Sequence, residues 1–142
     1  MKKIISVLAI VSVLVLGGCS TKEEPVKDSK KQEETTLHIT VKDEVNNKEL
    51  YKGDVSVDGN VKTLADFLEK ADKLKVEMED GQYGKTLISI LGVKTEDFNT
   101  GPWWLYESKN NESCVAAGQC DAASSLKIKD GDDFTFKYTS TF

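Results

Sequence analysis

The 142 residues include one histidine, three cysteines and two prolines. Each scarcity excludes a class of chemistry. His38 is the only imidazole and falls on the polar side of an alternating segment, so a Ser-His-acid hydrolytic site has no positioned base. Cys114 and Cys120 are six positions apart and far from His38. That spacing fits neither a zinc site nor a C-x-x-C redox motif. Basic residues are also short: 19 Lys and Arg stand against 24 Asp and Glu, a net charge of -5. Nucleic-acid partners, which need basic phosphate contacts, are excluded on that balance. Long apolar runs are missing as well. The longest, Ile4 to Leu16, is broken by Ser6 and Ser12 and falls short of the about 20 residues that a membrane-spanning helix needs. Gly81-Gln82-Tyr83-Gly84-Lys85 lacks the spacing of a phosphate loop. Asp130-Gly131-Asp132-Asp133 lacks the alternating ligands and distant Glu of a calcium loop, and its glycine suits a tight turn instead. No metal site and no catalytic residues are expected, since no nucleophile–base pair can be named.

The amino terminus carries a sorting signal. Met1-Lys2-Lys3 is basic, the apolar run follows, and Leu16-Gly17-Gly18-Cys19 closes it with small residues before a cysteine. This resembles the lipobox of bacterial lipoproteins. The resemblance implies a signal peptide over residues 1–18, cleavage before Cys19 and lipidation of Cys19. The expected location is the extracytoplasmic face of a bacterial cell membrane, held by the lipid anchor. Loss of residues 1–18 removes Lys2 and Lys3 and no acid, so the formal charge falls from -5 to -7. Outside the membrane an even pair of thiols oxidises, which makes Cys114 and Cys120 a disulfide.

Residues 19–35 form the next segment. From Ser20 to Thr35 the only apolar residue is Val26, among charges of both signs and a proline. Such a composition cannot bury a core and reads as a disordered tether from Cys19 to the domain. Residues 36–142 read as one domain. Thr36 to Val41 alternates Leu37, Ile39 and Val41 with polar residues, the mark of a half-buried strand. Asn46-Asn47 turns the chain, and Leu50 to Val57 is its hairpin partner. Thr63 caps a helix whose apolar face is Leu64, Phe67, Leu68 and Ala71, with Asp66 three residues on. Leu74 to Glu79 alternates again. Thr86 to Val93 is the most apolar stretch and reads as a central strand, followed by a short helical turn at Thr95 to Phe98. Strands are expected at Trp103 to Glu107, Leu126 to Ile128 and Phe134 to Tyr138, with turns at Lys109 to Ser113 and Lys129 to Asp132. One helix against a mostly antiparallel sheet is an α+β arrangement of the β-grasp kind.

Gly101-Pro102-Trp103-Trp104-Leu105-Tyr106 gathers both tryptophans of the chain within an otherwise polar surround. In a strand, Trp103 and Leu105 point one way and Trp104 and Tyr106 the other. Part of the cluster is then core, and part is free to form a platform for a ligand or a partner.

Four segments in order resemble the C-terminal β domain of the cobalamin carriers transcobalamin and intrinsic factor, a pattern shared with a bacterial family of short surface domains. They are Thr63-Leu64-Ala65-Asp66-Phe67-Leu68, Gly84 through Ser89-Ile90-Leu91-Gly92-Val93, Trp103-Trp104-Leu105-Tyr106, and Lys129-Asp130-Gly131-Asp132 through Tyr138. The resemblance implies a β-grasp-like fold in which the hairpin after the aromatic strand approaches the ligand. By position that hairpin is Ser113 to Cys120. The implied contacts are Trp103, Trp104 and Tyr106, with Val115, Ala116, Gly118 and Gln119 on the rim. The cysteine pair lies inside this hairpin, and the helical domain that supplies the carriers' other half-site is absent. Such a domain takes a different small molecule or acts with a partner. The function expected is a lipid-anchored module that captures a small molecule, with cobalamin or another corrinoid as the candidate ligand, and passes it to a vitamin transporter. The alternative is a protein-interaction or adhesion module, or a transporter accessory subunit, using the aromatic face.

Overall fold

The computed structural model describes residues 33–142. The expected signal peptide, the lipidation site Cys19 and the tether up to residue 32 lie outside the described residues. The first strand, β1 (Glu34–Asp43), starts two residues before the expected domain boundary. Leu37, Ile39, Val41 and Asp43 are buried along it, while His38 and Lys42 face outward. The Asp43 carboxylate accepts hydrogen bonds from the Asn46 backbone N–H (3.0 Å) and side-chain amide (2.7 Å), which fixes the turn into β2 (Lys48–Asp58). Val55 and Val57 continue the buried face.

Thr63 caps α1 (Leu64–Lys70) with a capping box: its hydroxyl accepts from Asp66 N–H, and the Asp66 carboxylate accepts from Thr63 N–H. Leu64, Phe67 and Leu68 are buried in one core with the strand residues, each contributing roughly 1.5–3 kcal/mol by leaving water. A short 3-10 turn, Asp72–Leu74, leads to β3 (Glu77–Gly81), β4 (Gly84–Ile90) and β5 (Val93–Lys94). The apolar stretch read as one strand is broken at Leu91-Gly92, both with positive φ (52° and 81°). Positive φ at both central residues is the requirement of a two-residue hairpin turn, and Ile90 pairs with Val93 across it.

After β6 (Trp103–Glu107) the chain forms α2 (Glu112–Ala117), then an irregular passage, then β7 (Asp133–Thr139). Leu126 to Ile128 is reduced to a single bridge between Lys127 and Thr63, and residues 98–100 make a turn in place of the expected helical one. The α+β class holds, with the strands divided between two sheets. One has the order β2-β1-β7-β6, the other β3-β4-β5. β7 runs parallel to β1 and antiparallel to β6, so the last strand sits inside the larger sheet. Phe134, Phe136 and Tyr138 from β7 meet Leu37, Ile39, Val41 and the α1 residues in one core.

Candidate functional site

The aromatic strand β6 is an edge of the four-stranded sheet. Its hydrogen-bonding direction follows from its neighbours. His38 N–H bonds the Asp132 carbonyl, and Glu44 N–H bonds the Tyr138 carbonyl. The even-numbered residues of β7 are thus turned to β1 and the odd-numbered ones to β6. Their partners Trp103, Leu105 and Glu107 make the ladder with β7. Trp104 and Tyr106 then direct their backbone N–H and C=O groups away from the sheet. Among the described residues, no backbone or side-chain group bonds these four.

The other edge of the sheet, β2, is covered at one point. By the same alternation the Asp54 carbonyl of β2 points outward, and it accepts a hydrogen bond from the Tyr51 hydroxyl at 3.0 Å. Sheet edges left bare invite another strand, and side chains that cover them suppress it.

An open groove of about 720 Å³ runs along the bare edge of β6. Residues Trp104 to Ser108 line it on the strand side. Cys114 and residues 118–122 form the opposite wall, and Lys137, Thr139 and Phe142 complete the floor. The wall is held in three ways. Cys114 and Cys120 are joined in a disulfide. Tyr106 donates its hydroxyl to the Asp121 carbonyl at 2.7 Å. Asn111, buried at the start of α2, accepts from Cys114 N–H (3.2 Å) and donates its amide to the Lys127 carbonyl (2.9 Å) and the Asp132 carboxylate (2.7 Å). Burial pushes the Tyr106 phenol up to about 12, so it remains a neutral donor.

Of the residues expected to bind ligand, Trp104, Tyr106, Gly118 and Gln119 converge on this groove. Trp104 does so through its strand edge, because the residue is only 5% exposed and its indole N–H donates to the Val93 carbonyl at 2.9 Å. Trp104 and Tyr106 do share a face, but it is the core face, where they pack on Tyr138 and Phe136. Trp103 lies on the other face. Its ring packs at 4.7 Å from the ring of the exposed Phe142, and its N–H donates to the Phe98 carbonyl at 2.9 Å. Val115 and Ala116 are exposed and do not border the groove. The expected hairpin from Ser113 to Cys120 is corrected by α2: Asn111 caps it, Glu112 sits in its first turn, and Gly118 ends it with φ 74°. Residues that sequence reasoning missed are Leu105, Glu107, Asp121 and Lys137. The alternation of β6 extends from Leu105 to Glu107, and the β6–β7 register sets Lys137 opposite Leu105; nothing local marked Asp121.

The groove is acidic. Glu44, Glu107 and Asp121 line it against one cation, Lys137, which pairs with Glu107 at 2.7 Å. Neither Glu44 nor Asp121 has a lysine in ion-pair contact among the described residues. A second cavity of about 680 Å³ carries Lys62, Lys127 and Lys129 with one acid, Glu112, and contains none of the expected residues. Asp130, Asp132 and Asp133 each accept backbone N–H bonds within the described structure, from Thr36, Lys129 and Lys109. Among the described residues no group of three or more His, Cys, Asp or Glu is placed to hold a metal ion.

No protein-family profile matches the sequence, and no curated protein resembles it significantly in sequence. Solved structures do resemble it. A protein of Ruminococcus gnavus ATCC 29149, provisionally assigned as metal binding, superposes with a TM-score of 0.56 at 21% identity, covering 76% of this chain and 99% of its own. Haptocorrin in complex with Cbi gives 0.55 at 19% identity; 78% of this chain matches 26% of haptocorrin. At such identities the similarity establishes a shared fold, the transcobalamin-like one that the sequence motifs pointed to.

Proposed function

We propose that the chain is a lipid-anchored extracytoplasmic binding module that captures a small molecule, a corrinoid, in the groove along β6 and hands it to an uptake system. The groove carries the reading: a concave site bordered by an aromatic strand and a disulfide-tied wall is the kind of place where ligands settle. The fold held in common with corrinoid-bound haptocorrin supports it. The matched part is 26% of haptocorrin. The lipobox at Leu16 to Cys19 supports the anchor.

Titration with cobinamide and cobalamin tests the ligand, followed by tryptophan fluorescence, because Trp104 borders the groove. Saturable quenching at micromolar ligand is expected. Its absence for both compounds removes the corrinoid reading. Metabolic labelling with a fatty acid, in wild type and Cys19→Ala, tests the anchor; label retained in the variant refutes it.

A further inference from the structure

We infer that the bare edge of β6 takes an extended, basic peptide segment of a partner protein as a fifth strand of the larger sheet. The inference goes beyond small-molecule capture, since the two occupants would compete for one groove. Trp104 and Tyr106 present two N–H and two C=O groups with no partner among the described residues. They are two residues apart, a spacing of about 7 Å along a strand. This is the repeat of a peptide backbone, and an added strand satisfies all four groups at once. On the opposite edge the Tyr51 hydroxyl takes up one outward carbonyl, that of Asp54.

The groove also states what the segment carries. Residues of an added strand alternate between the two faces of the sheet. On one face they meet Leu105 and the Lys137–Glu107 pair, and Glu44, which has no lysine in ion-pair contact among the described residues, also lines the groove. On the other they meet Gly118, Cys120 and Ala122 of the disulfide-tied wall, small groups that leave room for aliphatic side chains. With Lys137 already paired to Glu107, uncompensated charge in the groove is negative. Alternating lysine and aliphatic residues match both rows.

The probe is acetyl-Lys-Val-Lys-Val-Lys-amide, titrated into the full chain while the backbone amide resonances of Trp104 and Tyr106 are followed. Saturable shifts at both amides are expected. Of two N-methylated versions, one methylated on the valines and one on the lysines, one should bind at least tenfold more weakly and the other near the parent. The Glu-Val-Glu-Val-Glu counterpart should also bind at least tenfold more weakly. Tyr106→Pro and Tyr106→Ala both lose the ring, but only the proline loses the outward N–H while leaving the β7 ladder intact; Tyr106→Pro should bind several-fold more weakly than Tyr106→Ala. Equal binding by both N-methylated peptides, by the acidic peptide, or by the two variants overturns the inference, as does the absence of shifts. Cobinamide titrated into the same sample separates the readings. Corrinoid binding without peptide binding overturns the added strand and leaves capture standing; peptide binding without corrinoid binding does the reverse.

Discussion

Asn111→Ala should be among the most damaging single changes that leave the apolar core intact. Asn111 is 2% exposed and ends the loop between β6 and α2. Its carbonyl oxygen caps Cys114 N–H, while its amide satisfies the Lys127 carbonyl and the Asp132 carboxylate. Loss of an N-cap costs about 1 kcal/mol. Leaving a buried acceptor without its donor costs about 1–3 kcal/mol. Asp132 keeps its bond from Lys129 N–H, so the lower end of that range applies to it. Together the change should remove about 3 kcal/mol. A domain of this size has roughly 5–15 kcal/mol in all. Urea unfolding followed by circular dichroism and tryptophan fluorescence should give a lower midpoint with an unchanged slope. Asn110→Ala is the control: Asn110 is exposed, bonding Asp133 N–H and the Gly131 carbonyl at the surface, and should lose about 1 kcal/mol. If Asn111→Ala costs no more than Asn110→Ala, the buried network does not anchor α2 and the groove wall as described.

Three further outcomes are expected. The Cys114–Cys120 bridge spans a sequence separation of 6, and closing so short a loop stabilises by about 2.4 kcal/mol in the chain-entropy account. Cys114→Ala with Cys120→Ala should lower the urea midpoint accordingly, and reductant should move the wild type but not the double variant. His38 is held above its ordinary value by the hydrogen bond and charge of Asp54. Its stabilising effect is therefore present below the ordinary imidazole value of about 6.5 and fades as pH rises through the folded value. Asp54→Asn should lower the His38 midpoint in an NMR titration; an unmoved midpoint refutes the pairing. Gly84 has φ 110°, and a side chain there would run into the Ser124 hydroxyl. Gly84→Ala should cost about 2 kcal/mol or more, with partial recovery on adding Ser124→Ala, read as thermal midpoints.

The local signals were legible in proportion to how far each element depends on its own residues. The capping box at Thr63 and Asp66 and the alternation of β1 specify those elements without help from the rest of the chain. β6 emerged with its expected bounds. The turn at Leu91 was hidden because leucine seldom adopts positive φ; Leu91 N–H bonds the Leu74 carbonyl, a contact made only in the folded chain. α2 was legible and misread. Asn111, Glu112, two alanines and Gly118 are cap, first turn, body and stop of a short helix, but the polar run Lys109 to Ser113 reads as a turn and the resemblance sets a hairpin after it. The groove was half visible: alternation put Tyr106 in the right place, whereas Asp121 reaches it only because α2 folds the chain back.

The parallel pairing of β1 with β7 places His38 beside Asp133, so the centre of the larger sheet joins opposite ends of the domain sequence. During synthesis, a chain that has reached β6 holds a β1–β2 hairpin and an aromatic strand with nothing between them. Phe134 and Phe136, two of the largest fully buried side chains, arrive with the missing strand. The sheet is therefore complete only once β7 has joined both neighbours, and contacts this distant in sequence form slowly. A stop codon within β7 would leave β1 and β6 without their shared neighbour and the core without its full set of β7 aromatics, a substrate for proteases and not a shortened version of the domain.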